Sequence, residues 1–140
     1  QLYSCGMFAW AGNRQDDGGL YRVRYTGKEL CFPTEMEAVE GGVRLTFSAA
    51  LDPDAATQES AYRAKSWGLL RSRNYGSRHI DEAPVAVRSA TLGAGGREVF
   101  LEIPDLKPTW GMEIQFDLRT RSGRSVQHTI HNTIHHLAPR

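Results

Sequence analysis

Four of the chain's five histidines fall in one stretch, His128-Thr-Ile-His131-Asn-Thr-Ile-His135-His136, and neutral imidazole is a common protein ligand for metal ions. On a helix, His128, His131 and His135 would stack on one face within about 6 Å of their neighbours, close enough to share an ion. On a strand, His131 and His135 stand about 13 Å apart at ~3.3 Å per residue, out of reach of a single metal. Thr and Ile dominate the stretch, and their branched side chains disfavour helix and suit a pleated strand. Gly123, just upstream, fits a hairpin turn into such a strand. The spacing therefore predicts a last strand with Val126, Ile130 and Ile134 on one side and His131, Thr133 and His135 on the other. A metal site then needs His131 or His135 together with a distant ligand. His79 is the candidate for that ligand, with copper or zinc as the ion.

A second cluster lies in Arg71-Ser-Arg-Asn-Tyr-Gly-Ser-Arg-His-Ile-Asp-Glu82. This segment has little hydrophobic periodicity and reads as a long polar loop between strands, the place where rigid sandwiches carry binding residues. Tyr75 is suited to stacking on a sugar ring, with Asn74, Arg78, His79 and Asp81 hydrogen-bonding hydroxyls. Asp81 and Glu82 are adjacent, so they do not form the separated acid/base pair that cleaves a glycosidic bond. The competing reading is a solvated loop held by its own salt bridges. Among the aromatics, Trp67 alternates with Leu69 and is expected in the core. Trp110, after Pro108, is expected buried at a sandwich corner. Trp10, in Ala9-Trp-Ala-Gly12, is the indole expected to be exposed as a ligand platform or domain contact. No GxSxG elbow occurs, and no residue is nominated as catalytic.

The elements that must position these residues are β-strands. Leu20-Tyr-Arg-Val-Arg-Tyr-Thr26 alternates, and the turn-rich Asn13–Gly19 lets it pair with Leu2–Phe8 as a hairpin. Val39–Phe47 reads as two short strands around Gly41-Gly42. Leu51-Asp-Pro-Asp-Ala-Ala-Thr57 reads as a turn followed by one helical turn capped by Asp54. Tyr62–Leu70, Val85–Thr91, Glu98–Ile103 and Met112–Leu118 read as further strands. Pro104 and Pro108 are confined to the connection before Trp110. Seven or more short strands at such spacing define an all-β sandwich.

Composition bounds the function. A hydrophobic fraction of 40% beside 24% charged residues is that of a soluble globular chain, and 140 residues suffice for a core without metal or disulfide support. The 17 basic and 16 acidic residues are interspersed, so no basic stripe for nucleic acid appears. No apolar run approaches the ~18 residues that a membrane-spanning helix needs, and no membrane partner is expected. The opening Gln1-Leu-Tyr-Ser-Cys5 is not a signal peptide and reads as entering mid-structure, as a processed piece would. Cys5 and Cys31 are too far apart for a CxxC motif. They are either a bridge closing a loop of about 25 residues, worth ~3 kcal/mol, or two buried thiols.

Two resemblances add to this. Gly42-Val-Arg-Leu-Thr-Phe-Ser-Ala-Ala-Leu-Asp-Pro-Asp-Ala-Ala-Thr57, followed by Tyr62, resembles the opening of bacterial immunoglobulin-like modules. Cys5–Asn13, Tyr21–Gly27, Asn74-Tyr-Gly-Ser-Arg-His79, Leu101-Glu-Ile-Pro-Asp105, Pro108-Thr-Trp110 and Ile130-His-Asn-Thr-Ile-His135 resemble the C-terminal region of large secreted planctomycete-type proteins. Those combine a sugar-dehydrogenase-like β-propeller with haem-binding cytochrome c modules. The resemblance implies that residues 1–28 are closing strands of a propeller blade and residues 29–140 an attached module. It implies no activity, and the chain lacks the CxxCH of haem attachment.

The expectation is thus an immunoglobulin/fibronectin-III-like β-sandwich with an N-terminal β-hairpin, secreted or periplasmic, that binds rather than reacts. Its partner would be a polysaccharide or an adjacent domain of a larger secreted protein, held through Arg71–Glu82 without a cofactor. The alternatives are a small copper or zinc enzyme using His79 with His131 or His135, and a purely structural cap of a propeller.

Overall fold

Period-two alternation decides the architecture. In the strand Thr109–Arg119, Met112, Ile114, Phe116 and Leu118 are buried, while Gln115, Asp117 and Arg119 are exposed. One face of this strand must therefore meet a second apolar layer. The computed structural model, which describes residues 2–6 and 19–140, supplies that layer. Among the described residues ten strands follow in chain order: β1 (Leu2–Cys5), β2 (Leu20–Val23), β3 (Pro33–Val39), β4 (Gly42–Phe47), β5 (Tyr62–Leu70), β6 (Arg78–Val85), β7 (Ser89–Leu92), β8 (Glu98–Glu102), β9 (Thr109–Arg119) and β10 (Ser125–Ile134). They form two antiparallel four-stranded sheets, β10-β9-β5-β6 and β3-β4-β8-β7, and a separate two-stranded ribbon, β1-β2.

The sheets face each other as a β-sandwich. Val43, Leu45 and Phe47 of β4, with Val99, Leu101 and Ile103 at β8, pack against Met112, Ile114, Phe116 and Leu118 of β9. Phe47 and Phe116 meet edge to face, with ring centroids 5.4 Å apart, the favoured geometry for an aromatic pair. Beyond β10 the chain crosses to the other sheet. Ala138 accepts from the Glu40 amide (2.9 Å) and donates to the Ala38 carbonyl (3.0 Å), which covers the edge at β3.

Several expectations change in detail. The helical turn α1 (Pro53–Ala56) is capped by Asp52 rather than Asp54, its Oδ1 accepting from the Ala55 amide at 2.9 Å. Pro53 occupies the first helical position, where its missing N–H costs nothing. The strand expected over Val85–Thr91 is two, β6 ending at Val85 and β7 beginning at Ser89. The histidine run is a strand as expected, β10, ending at Ile134. The ribbon pairs in the register Leu2↔Val23 to Cys5↔Leu20, but its faces are open. Leu2, Leu20, Tyr21 and Val23 are all exposed. Cys5 is an exposed free thiol, and Cys31 a partly buried one donating to the Ala49 carbonyl at 3.9 Å; they form no bridge.

Phe116→Ala removes one member of the aromatic pair at the centre of the core. It is expected to lower unfolding stability by about 3–5 kcal/mol in chemical denaturation, with β structure retained in circular dichroism.

Candidate functional site

The polar segment 71–82 is not one loop. Only residues 71–77 connect β5 to β6; Arg78 to Glu82 belong to β6 itself. The β5–β6 register runs Leu70↔Arg78, Leu69↔His79, Gly68↔Ile80, then jumps to Ser66↔Ala83. Trp67 thus faces two residues, Asp81 and Glu82, in a β-bulge. Asp81 takes up the strain with a φ of 54°, a left-handed conformation that Asp tolerates better than most side chains. Residues three apart in a regular strand lie on opposite faces. The bulge's extra residue brings His79 and Glu82 to the same face, the side of the sheet away from the core.

That outer face carries a compact cluster. The His79 imidazole stacks on Trp67 with centroids 4.7 Å apart and planes 22° from parallel, and His131 of β10 meets the same indole edge-on at 6.4 Å. Trp67 can lie across β9 because its partner there is Gly111, where a Cβ would stand 2.2 Å from the indole ring. Below the ring, Lys65 Nζ lies 3.0 Å from Glu82 and 3.8 Å from Glu113. His79 Nδ1 lies 3.5 Å from Glu82, and His131 Nε2 2.9 Å from Glu113. Each imidazole is therefore paired with a carboxylate, and one ammonium joins the two pairs.

The hydrogen bond from Lys65 holds the Glu82 carboxyl below its usual 4.5, and the same bond, foremost, lifts the Lys65 amine above its usual 10.5. Both groups are partly solvated, so the pair works in high dielectric and is screened by salt.

The sequence candidates separate accordingly. His79 and His131 come together on Trp67. His135 lies past the end of β10 and lines a small cavity of about 250 Å³ with Pro108, Thr109, Trp110, Thr133 and Ile134. No group of three or more His, Cys, Asp or Glu side chains able to hold a metal ion forms among the described residues, so His79, His131 and His135 do not make one three-ligand site. Asp81 sits in the bulge with an exposed side chain. Asn74, whose amide donates to Ser72 Oγ at 3.2 Å, and Tyr75 sit at the exposed tip, with Gly76 at φ 84° completing the turn. Arg78 begins β6 opposite Leu70. Trp10 lies outside the described residues.

Two indole expectations are corrected. Trp67 is half-buried on the outer face, because Tyr62 and Ala64 take the inward positions of β5. Trp110 is not a buried corner residue but 51% exposed, and the Arg71 guanidinium sits over its ring at 5.0 Å. Sequence reasoning missed Lys65 and Glu113. Their signal was present in the regular outward alternation of β5 and β9, which places them directly opposite each other.

No family model and no curated protein matches the chain. Among solved structures it is similar to CopC from Methylosinus trichosporium OB3b, at 18% identity over 79% of this chain and 96% of that one, with a TM-score of 0.43. No helix among the described residues is long and apolar enough to cross a membrane.

The Lys65–Glu82 pair has a pH signature. The carboxylate's contribution to stability is present above its unfolded value and lost as pH falls through the depressed folded one. The ammonium's is present below its unfolded value and lost as pH rises through the raised one. The difference in melting temperature between the parent and Glu82→Gln should therefore be present between about pH 7 and 9 and shrink as pH falls below about 4.5. A difference that persisted undiminished at about pH 2.5 would contradict this pairing.

Proposed function

We propose that the chain is a non-catalytic accessory module of a secreted protein that binds carbohydrate through the β5–β6 hairpin. The observation that carries this reading is the fully exposed Tyr75 ring, held at the tip of a hairpin whose base is anchored in the sandwich. A tyrosine ring offers a large flat contact face with few torsions to immobilise on binding. The Arg71–Trp110 stack lies at the same end of the sheet and adds a second ring. The groups best suited to acid/base chemistry, Glu82, Glu113, His79 and His131, are instead tied to one another on an open face, where water is not excluded as proton-transfer catalysis favours.

A second reading, a copper or zinc site, is favoured by one observation. His79 and His131 pack on the same indole, each beside a carboxylate. An ion there would have to displace the Lys65 ammonium from Glu82 and Glu113.

Titration of the chain with soluble polysaccharides should give binding heat that Tyr75→Ala removes while its melting temperature stays at the parent value. Absence of heat with every glycan overturns the carbohydrate reading. For the metal reading, equilibrium dialysis against copper and zinc should give one ion per chain, lost in His79→Ala. Sub-stoichiometric uptake, or uptake unchanged in that variant, overturns it.

A further inference from the structure

The connection and first residue of β6 read Arg71-Ser-Arg-Asn-Tyr-Gly-Ser-Arg78, three guanidinium groups in eight residues with no acid among them. Among the described residues ion pairs form to Arg44, Lys65 and Arg88 and not to Arg71, Arg73 or Arg78; what sets these three apart from other unpaired cations is their close spacing without an intervening acid. All three are exposed. The carboxylates that follow do not neutralise them. Glu82 is held by Lys65, and Asp81 lies in the bulge three residues beyond Arg78. With a whole-chain balance of only +1, this positive tip is a local feature rather than a share of a general basic charge.

We infer that the glycan taken by this hairpin is anionic, its sulfate or carboxylate groups held by Arg71, Arg73 and Arg78 while Tyr75 and Trp110 pack on the sugar rings. The inference rests on the carbohydrate reading and narrows it. Guanidinium presents a planar fork that matches a sulfate or carboxylate with two parallel hydrogen bonds. A neutral sugar, offering hydroxyls alone, leaves that charge unanswered. Arg71 is already ordered by its stacking on Trp110 at 5.0 Å, so less side-chain entropy is lost when an anion arrives. Arg78 stands opposite Leu70, the residue before Arg71, so Arg71 and Arg78 open and close the connection at its base. A cluster this short does not make the extended stripe that tracks a nucleic-acid backbone.

The test titrates the whole chain with polygalacturonate, a sulfated galactan, the same galactan after desulfation, a neutral β-glucan and single-stranded DNA. The charged polysaccharides should bind at least about tenfold more tightly than the desulfated galactan. Arg71→Gln/Arg78→Gln should weaken them by about tenfold or more, as loss of charged hydrogen bonds does, with an unchanged melting temperature. Equal binding of sulfated and desulfated galactan leaves the carbohydrate reading standing and overturns this inference. Absence of binding to every glycan overturns both. Charged-polymer binding that survives in the double variant, or DNA binding of equal strength, shows attraction by charge alone and also overturns it.

Discussion

The structure depends on the packing of β9 against β4 and β8. β9 hydrogen-bonds on both sides, to β5 and to β10, and its inward residues fill the core between the sheets. Because side chains alternate strictly along a strand, burying Met112, Ile114, Phe116 and Leu118 forces Glu113, Gln115 and Asp117 outward. The registers with β5 and β10 then set what stands beside each of them: Lys65 and His131 at Glu113, Gln127 at Asp117. The outer face is thus a by-product of core packing in its positions, though not in its residue types.

What the core does not require, the outer face and the hairpin supply. Lys65, Glu82 and Glu113 tie three strands of one sheet together with side-chain bonds, and Trp67 spans β5 and β9 over a glycine. These contacts stiffen the platform from which the β5–β6 connection projects. Tyr75, Arg71 and Arg73 lie in the exposed connection between these two strands, and Arg78 begins β6.

Much of this was legible in the residues. The alternation of Val99, Leu101 and Ile103 and of Met112 to Leu118 identified the core strands, and the branched side chains between the histidines identified β10. Trp67 was misplaced because periodicity assigns two faces without saying which is inside. Trp67 and Leu69 alternate as well as any core pair, yet the smaller Tyr62–Ala64 parity faces the core, because Phe116 and Ile114 of β9 already fill the space beside it. The polar run 71–82 hid a strand because β6 lies at the sheet edge, where one ladder of hydrogen bonds and water replace apolar contacts. Its bulge, which decides the face of Glu82, depends on a backbone conformation at Asp81 that composition does not announce. Trp110 is exposed because it lies at the end of β9, where apolar cover runs out.

The β1–β2 ribbon has a different standing from the rest. Among the described residues its backbone bonds close on itself, and the segment joining it to the sandwich is fastened further along, where Ser122 donates to Glu29 (2.6 Å) and Ser48 donates to the Leu30 carbonyl (2.8 Å). A lone two-stranded ribbon is marginal in water, and this one draws little support from the core. The described ribbon strands lie outside the sandwich core, so their amides are expected at the weakly protected end of the molecule's hydrogen-exchange spectrum.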